Sequence, residues 1–349
     1  MADRRISRQV KCGNVLIGGG ATVSIQSMLN TDPHDFESSR QQIDALVAAG
    51  CEIIRITVPD QLSLDTLREL TSYSPVPIVA DIHFDYKLAL GAIDAGVSKV
   101  RINPGNIGSD DRVRAVADAA GARGIPIRIG VNSGSIEKHI LEKLGNTAEA
   151  LVESALYHVS LLEKYNFKDI VISIKSSDVV KTIKAYETIA ASTNYPLHLG
   201  VTEAGTYVQS AVKSSIALGS LLTRGIGDTI RVSVTGDPVE EISIAKAILS
   251  AVGERKFGPT IVACPTCGRT KVDLIGICKQ VENRLVGCTK DIKVAIMGCA
   301  VNGPGEARDA DIGIAGGIDE FLLISKGQII RKIPAAQAVD QLIDEIDRI

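Results

Sequence analysis

The sequence of 349 residues contains no long apolar run, no large excess of one charge and no nucleotide-binding fingerprint. Since no stretch of about 18 apolar residues occurs, we expect no membrane-spanning segment and no membrane partner. The formal net charge of −3 gives no reason to expect a nucleic-acid partner. Because the N-terminal MADRRISRQV lacks the apolar stretch of a secretory signal, we expect a cytoplasmic protein.

Cysteine is sparse and does not suggest a disulfide framework. The chain has seven cysteines, an odd number in a long sequence without a recognisable signal. This usage favours reduced thiols in the cytosol, employed for packing or for metal binding. Cys12 and Cys51 lie far from the other five, and we interpret them as packing residues, because free cysteine is often buried.

Eight short segments rich in β-branched residues occupy the first two-thirds of the chain, and each is followed by helical spacing. They begin at Val23, Glu52, Pro77, Lys99, Ile125, Asp169, Leu197 and Thr229. Strands that alternate with helices predict a parallel sheet covered by helices. Eight such units favour a closed (β/α)8 TIM barrel over an open doubly wound sheet, which would require a nucleotide fingerprint that the sequence lacks.

Two further segments complete the predicted α/β architecture. The stretch CGNVLIGGGA lacks the ending of a P-loop, so we predict a hairpin that plugs the barrel bottom rather than a phosphate site. After about Val252 the pattern changes, and GERKFGPT has the composition of a linker. The remainder predicts a small α+β domain that ends in a β-hairpin, with Lys326 and Gly327 at its turn, and a helix. We therefore predict a barrel at 1–255 and a second domain at 256–349.

Polar side chains gather toward the ends of the predicted strands, where the chemistry of such barrels is found. Five strands contribute cations: Arg55, Arg101, Arg128, Lys175 and Arg231. Alternate residues of a strand share a face, so we expect these cations to meet at one mouth. Burying so much positive charge is costly unless an anion neutralises it, and arginine matches phosphate oxygens. The alternative is that each cation pairs with a carboxylate or points outward to a helix, and the strands offer only Asp81 and Glu203 as obvious partners.

The same strand ends carry further polar side chains that we expect to line the mouth. They are Asp81, His83, Asn103, Asn132, Ser173 and Ser233. A lone histidine is often a packed residue, but the strand-end position of His83 favours a functional role. Together with the cations, these side chains predict a site for a small, phosphate-rich substrate.

The second domain carries a candidate metal site. A-C-P-T-C-G-R contains Cys264 and Cys267, and M-G-C-A-V-N-G-P-G-E contains Cys299 and Glu306. The C-x-x-C spacing lets two thiolates hold one metal or one edge of a cluster. A redox dithiol, a structural zinc site and an iron–sulfur cluster all remain open, and the cluster is favoured because a thioredoxin-like unit and a second C-x-x-C pair are absent. Spacing does not settle the fourth ligand, for which Cys278 and Cys288 are nearby alternatives.

The chain resembles, essentially end to end, the bacterial 4-hydroxy-3-methylbut-2-enyl diphosphate synthases of the methylerythritol phosphate pathway of isoprenoid biosynthesis. The motifs that carry the resemblance are VSIQSM, ADIHF, VRINPGN, IRIGVNSGS, SIKSSD, GVTEAG, VSVTGDP, CPTCGR and GCAVNGPGEA. The resemblance implies an oxidoreductase that opens 2-C-methyl-D-erythritol 2,4-cyclodiphosphate to (E)-4-hydroxy-3-methylbut-2-enyl diphosphate, with loss of one hydroxyl as water. It further implies a [4Fe–4S] cluster and electrons supplied by flavodoxin or ferredoxin.

The resemblance also implies roles for individual residues. The family's cluster ligands fall on Cys264, Cys267, Cys299 and Glu306. Its diphosphate-binding positions fall on Arg55, His83, Arg101, Arg128, Asn132, Lys175 and Ser233. Its catalytic acid falls on Glu203, and Asn302 is expected to orient the substrate. The resemblance finally implies a head-to-tail homodimer in which each cluster domain caps the partner's barrel and so forms composite active sites.

Overall fold

Short β-branched segments form the strands of a computed structural model that describes residues 3–349. The described strands and helices fall into two units, one ending at Arg255 and the other spanning Lys256–Ile349. Across residues 3–349, no helix combines the length and the apolar character needed to cross a membrane.

Eight parallel strands form the barrel of the first unit, after an antiparallel hairpin of β1 (Val10–Cys12) and β2 (Val15–Ile17). The barrel strands are β3 (Ser24–Met28), β4 (Ile53–Thr57), β5 (Ile78–Asp81), β6 (Lys99–Ile102), β7 (Ile127–Asn132), β8 (Ile170–Lys175), β9 (His198–Leu199) and β10 (Thr229–Ile230). Their order is β8-β7-β6-β5-β4-β3-β10-β9. A further bridge between Ile172 and Leu197 joins β8 to the residue before β9 and closes the sheet. The predicted TIM barrel is therefore confirmed.

Helices cover the outside of this barrel. They are α1 (Phe36–Ala48), α2 (Ser63–Tyr73), α3 (Tyr86–Asp94), α4 (Pro104–Ile107), α5 (Asp110–Arg123), α6 (Lys138–Leu144), α7 (Ala148–Glu163), α8 (Val179–Ser192), α9 (Tyr207–Leu222) and α10 (Pro238–Ala251). Several begin at an aspartate, such as Asp35 or Asp178, whose side chain accepts a hydrogen bond from a backbone N–H of the first turn. Gly124 ends α5 in the left-handed conformation (φ 62°) that a residue with a Cβ adopts only at a cost.

The hairpin closes one end of the barrel with apolar side chains. Val10, Cys12 and Ile17 pack against three strand residues, Ile53, Val79 and Val171. Ile53 is the first residue of β4, so the contact lies at the amino-terminal ends of the strands. The predicted plug is thus confirmed, and the opposite end of the barrel remains open for a site.

A five-stranded mixed sheet forms the second unit. Its elements are β11 (Thr260–Ala263), α11 (Leu274–Arg284), β12 (Lys293–Met297), α12 (Gly303–Glu306), β13 (Ile312–Gly316), β14 (Glu320–Ser325), β15 (Gln328–Pro334), a 3₁₀ turn (Ala335–Gln337) and α13 (Ala338–Arg348). The first three strands are parallel and the last three antiparallel. The predicted hairpin turn at Lys326 and Gly327 is confirmed, and both residues have positive φ.

Two details of the second unit differ from the sequence analysis. The predicted linker GERKFGPT ends inside the structure of the unit, because its last residue, Thr260, begins β11. This edge strand was missed since most of its side chains are exposed and show no apolar alternation. The predicted glycine-rich loop contains the single helical turn α12. The core lies between the sheet and helices α11 and α13, where Val281, Phe321 and Leu342 are buried.

Removing the buried side chain of the plug should destabilise the barrel. Ile17 is fully buried, whereas its neighbour Leu16 is 44% exposed. We expect Ile17→Ala to lower the free energy of unfolding by about 2–5 kcal/mol, because the cavity it leaves cannot fully collapse. Leu16→Ala is the matched control, with an expected loss of about 0.5 kcal/mol. Equal losses for the two variants in urea unfolding would contradict the role of the hairpin as a plug.

Candidate active site

A polar cavity opens at the carboxyl ends of the barrel strands. It is lined by Arg55, Asp81, His83, Arg101, Arg128, Gly130, Asn132, Ser173, Lys175, Thr202, Arg231 and Ser233. Every residue that the sequence analysis placed at the barrel mouth lines this cavity, except Asn103 and Glu203. The alternation of side chains along the parallel strands brings these residues together, as register pairs such as Arg101 with Arg128 illustrate.

Asp81 is the anionic centre of one side of the cavity. Its Oδ1 lies 3.1 Å from Nη1 of Arg101, and its Oδ2 lies 3.7 Å from Nε of Arg55 and 3.7 Å from Nε2 of His83. Burial alone would raise the pKa of Asp81, but Arg55 and Arg101 lower it to about 2. The carboxylate therefore stays charged and fixes the orientation of both guanidinium groups.

Glu241 neutralises a cation on the other side and was missed in the sequence analysis. Its Oε1 lies 2.7 Å from Nη2 of Arg231, and its Oε2 accepts a hydrogen bond of 2.7 Å from Ser27. Glu203, which we had named as a partner for the cations, pairs with none of them in the described residues. The sequence contained one indication that Glu241 is buried, because helical spacing places it on the same face of α10 as Ile244 and Ile248, which are buried.

Arg128 and Lys175 are the cations that remain without a carboxylate. Both are buried and form no ion pair with any of residues 3–349. Nε and Nη2 of Arg128 also have no hydrogen-bond partner in that part of the chain. Burial, reinforced by neighbouring cations, holds the pKa of Arg128 and of Lys175 well below the usual values. Such a site is stabilised when an anion enters it.

Two glycines, Gly130 within β7 and Gly200 directly after β9, make room for the cations. The carbonyl of Gly130 accepts a hydrogen bond of 2.7 Å from Nη2 of Arg101, and its N–H donates one of 2.9 Å to Oδ1 of Asn103. A Cβ at Gly130 would lie 2.3 Å from Nε of Arg101. At Gly200, a Cβ would lie 2.8 Å from Nζ of Lys175. Asn103 thus acts through the backbone of Gly130. A glycine within a strand often marks a place where another group approaches the backbone closely, and the sequence analysis did not use this signal.

Glu203 follows β9 at the rim of the barrel. Its side chain is exposed, and its neighbour Thr202 lines the cavity. Its backbone adopts φ 52°, which is uncommon for a residue with a side chain. Conformations of this kind cluster at functional sites, where the surrounding structure enforces them. The structure therefore places Glu203 beside the cavity but not among the residues that line it.

The candidate cluster ligands lie at one edge of the second sheet. Cys264 directly follows β11 and Cys299 lies two residues after the parallel β12, so both stand at the carboxyl ends of these strands. Glu306 ends α12, whose Gly303 packs against Met297 and Ala315 at the same ends. In the described chain, no three histidine, cysteine or carboxylate side chains converge closely enough to hold a metal ion. Cys264, Cys299 and Glu306 thus lie toward the same ends of the strands without forming a closed coordination site, Cys267 is exposed three residues after Cys264, and Asn302 lies exposed in the same loop as Cys299.

The donor set nevertheless fits an iron–sulfur cluster in its electrostatics. The N–H of Gly298 donates to Sγ of Cys264 at 3.1 Å. Backbone N–H groups lower the pKa of Cys267, through Arg269, and of Cys299, through Asn302. A lowered pKa favours the thiolate, which is the form that binds metal.

The alternative thiols have packing roles. Cys278 and Cys288 both lie against the apolar core of the second unit. Burial raises the pKa of Cys278 and so disfavours its thiolate. In the barrel, Cys12 and Cys51 are buried, as the sequence analysis predicted. Cys264 packs against the same core, but its Sγ accepts the N–H of Gly298, and Cys267 and Cys299 have lowered pKa values. These features favour Cys264, Cys267 and Cys299 as the metal-binding thiols.

Comparisons with known proteins give a consistent result over both units. Residues 7–246 match the GcpE TIM-barrel domain, and residues 260–348 match the GcpE protein C-terminal domain. A relative from Clostridium acetobutylicum is 57% identical over 342 residues, which cover 98% of both chains. One from Ruminiclostridium cellulolyticum is 55% identical over 344 residues, again covering 98% of both. Each of these relatives is named 4-hydroxy-3-methylbut-2-en-1-yl diphosphate synthase (flavodoxin).

Solved structures of low sequence identity share the barrel. Dihydropteroate synthase from Yersinia pestis is 13% identical, with a TM-score of 0.51 over 71% of this chain and 99% of its own. The 3-dehydroquinate dehydratase from Geobacillus kaustophilus has the same identity and TM-score, over 71% and 98% of the two chains. At this level of identity, the similarity concerns the fold alone.

Adding one methyl group at Gly130 should impair anion binding. We expect Gly130→Ala to weaken the binding of inorganic pyrophosphate by about tenfold or more, because the new Cβ displaces the Arg101 guanidinium. Gly134→Ala is the matched control, since a Cβ there meets no atom within 4 Å. Isothermal titration calorimetry would measure both affinities. Unchanged affinity in a folded Gly130→Ala protein would show that Arg101 does not take part in binding the anion.

Proposed function

The chain belongs to the GcpE family, and from this premise we propose that it converts 2-C-methyl-D-erythritol 2,4-cyclodiphosphate to (E)-4-hydroxy-3-methylbut-2-enyl diphosphate. The names of its relatives support this product and a flavodoxin as the electron donor, with ferredoxin as the alternative. The seven cysteines are free thiols, which supports a cytoplasmic location.

The observation that carries the proposal is the uncompensated charge of Arg128 and Lys175. A cyclic diphosphate brings negative charge to these cations, and its oxygens match the planar donors of arginine. Opening the ring breaks one carbon–oxygen bond and leaves a linear diphosphate, whose terminal phosphate carries more negative charge than the cyclic form. The cations are therefore able to stabilise the product-like transition state more strongly than the substrate.

The remaining chemistry requires two electrons and the loss of one hydroxyl as water. A [4Fe–4S] cluster, held by Cys264, Cys267, Cys299 and Glu306, would supply the electrons and an iron with Lewis-acid character. The carboxylate of Glu306 is a harder and more labile iron ligand than a thiolate, so this position is the one best suited to exchange. We propose that Glu203 gives a proton to the departing hydroxyl oxygen, and that Asn302 helps to orient the substrate.

A homodimer accounts for an exposed apolar stripe on the barrel. Val208, Val212 and Ile216 of α9 are 70%, 54% and 54% exposed, and their four-residue spacing places them on one face. Contiguous exposed apolar surface is characteristic of protein–protein contacts. We propose that this stripe contributes to a head-to-tail homodimer, in which each second unit caps the partner's barrel and completes its active site.

The cluster and the reaction are tested together in protein purified without oxygen. We expect a brown protein with about four iron and four sulfide per chain, which consumes the cyclodiphosphate when reduced flavodoxin is supplied. Alanine at Cys264, Cys267 or Cys299 should abolish the colour, and Glu306→Ala should weaken it. Cys288→Ser is the matched control and should keep its iron, because Cys288 lies beside Gly258, before the amino-terminal end of β11, whereas Cys264 follows the carboxyl end of that strand. A colourless protein that holds one zinc per chain would overturn the reductive reaction.

A charge placed in the apolar stripe tests the dimer. We expect Val212→Glu to sediment as a monomer and to lose turnover, because an unpaired carboxylate at an apolar interface is costly to desolvate. Val180→Glu, on α8, is the matched control because Val180 is 75% exposed outside the stripe. It should remain dimeric and active. A dimeric Val212→Glu protein would exclude the stripe from the interface, and an active monomer would exclude composite sites.

A further inference from the structure

A buried histidine behind the mouth of the barrel has no part in the proposed chemistry. His158 lies on α7 and is fully buried. Its Nδ1 accepts a hydrogen bond of 3.0 Å from the N–H of Gly105, and its Nε2 lies 2.7 Å from Oε1 of Glu137. The second contact is a close ion-pair distance rather than a well-aligned hydrogen bond. One imidazole thus contacts two separate segments of the chain.

These two segments follow neighbouring strands of the barrel. Gly105 belongs to α4, which begins directly after β6 and Asn103. Glu137 precedes α6, in the segment that follows β7 and Asn132. The strands β6 and β7 are paired, and Arg101 stands beside Arg128 in their register. His158 therefore links the two loops that continue from the cationic strands.

The hydrogen bond from Gly105 assigns a single neutral tautomer to His158. Because Nδ1 accepts from the N–H of Gly105, it must carry a lone pair rather than a proton. The ring proton of the neutral imidazole is then on Nε2, which faces Glu137. Burial would raise the pKa of Glu137, but its contacts with His158 and Ser154 hold the pKa below the usual value. The carboxylate thus stays charged and orients the ring, as carboxylate partners of histidine do elsewhere.

The fit between the ring and α4 leaves no free space. A Cβ at Gly105 would lie 2.8 Å from Cε1 of His158 and 3.4 Å from Cε1 of Tyr157. The backbone of Gly105 is therefore seated directly on the imidazole, which fixes both the position and the direction of its N–H. A buried hydrogen-bond acceptor in such close contact resists displacement, because an unpaired N–H would remain without a partner.

The position of Gly105 affects the anion site through two residues. Asn103 lies two positions before Gly105 and accepts the N–H of Gly130 through Oδ1. The carbonyl of the same Gly130 accepts from Arg101, which also pairs with Asp81. Fixing Gly105 fixes the start of α4, the side chain of Asn103 and the strand backbone against which Arg101 rests. A small displacement of a guanidinium group can weaken anion binding strongly, because its two parallel donors must be aligned with the oxygens of the anion.

We propose that His158, oriented by Glu137, is a positioning residue that holds the loops after β6 and β7 so that Arg101 and Asn132 face the bound diphosphate. The inference rests on the proposed function only for the identity of the anion. It predicts that changes at His158 alter the affinity for the anion and the KM of the substrate, with a smaller effect on kcat. A purely structural role would instead lower stability and leave these affinities unchanged.

Three substitutions separate the two contacts of His158. Asparagine places an oxygen near the position of Nδ1, so His158→Asn keeps an acceptor for Gly105. Glutamine places its amide nitrogen near Nε2, so His158→Gln keeps only the donor toward Glu137. His158→Leu removes both. We expect pyrophosphate affinity to fall about tenfold in His158→Leu and His158→Gln, and to recover in His158→Asn. Amide hydrogen exchange at residues 103–108 should be faster in His158→Leu and His158→Gln than in the wild-type protein.

Inorganic pyrophosphate is the probe, and full-length wild-type protein is the reference. His139→Asn is the matched control, because His139 is exposed and its ring packs against Tyr157. If wild-type protein fails to bind pyrophosphate, the proposed anion site is wrong. If it binds and His158→Leu binds equally well, the positioning role is wrong. Should His158→Leu fail to fold, His158→Gln replaces it, because it also lacks the acceptor for Gly105, with the same expected loss of affinity and the same contradictory outcome.

Discussion

Uncompensated positive charge inside the barrel mouth is the constraint on which the site depends. Two carboxylates, Asp81 and Glu241, orient three of the five arginine and lysine groups, but Arg128 and Lys175 remain without a counter-ion in the described residues. Apolar packing of the plug and the outer helices has to hold these charges in place in the absence of substrate. A bound anion then supplies the missing negative charge, so substrate binding should stabilise the folded mouth of the barrel.

Small residues and indirect contacts give the cations their geometry. Gly130 and Gly200 leave the space that the guanidinium and ammonium groups occupy, and Asn103 fixes the backbone of Gly130. His158 acts one step further out, through Gly105. The residues that line the cavity are therefore not sufficient by themselves. The positions of their side chains depend on backbone segments that other side chains hold in place.

Local patterns in the sequence were sufficient for the barrel, the plug and the hairpin turn, because β-branched runs, helical spacing and turn glycines act over a few residues. Strand alternation also sufficed to bring Arg101 and Arg128 to one mouth. Other features depend on contacts between distant segments. Glu241 lies in a helix whose local pattern does not reveal its partner, and β11 is an exposed edge strand. The candidate cluster ligands come from separate loops, and no spacing rule in the sequence says how close these loops lie.

The two sides of the barrel differ in mechanical stiffness. Strands β4 to β8 are four to six residues long, whereas β9 and β10 have two residues each and a single bridge completes the closure. Fewer backbone hydrogen bonds mean a lower resistance to local distortion. The stiff wall carries Arg55, Arg101 and Arg128, while the compliant wall carries Thr202 and Arg231. A substrate that changes shape when its ring opens thus meets a rigid anchor on one side and a wall that can yield on the other.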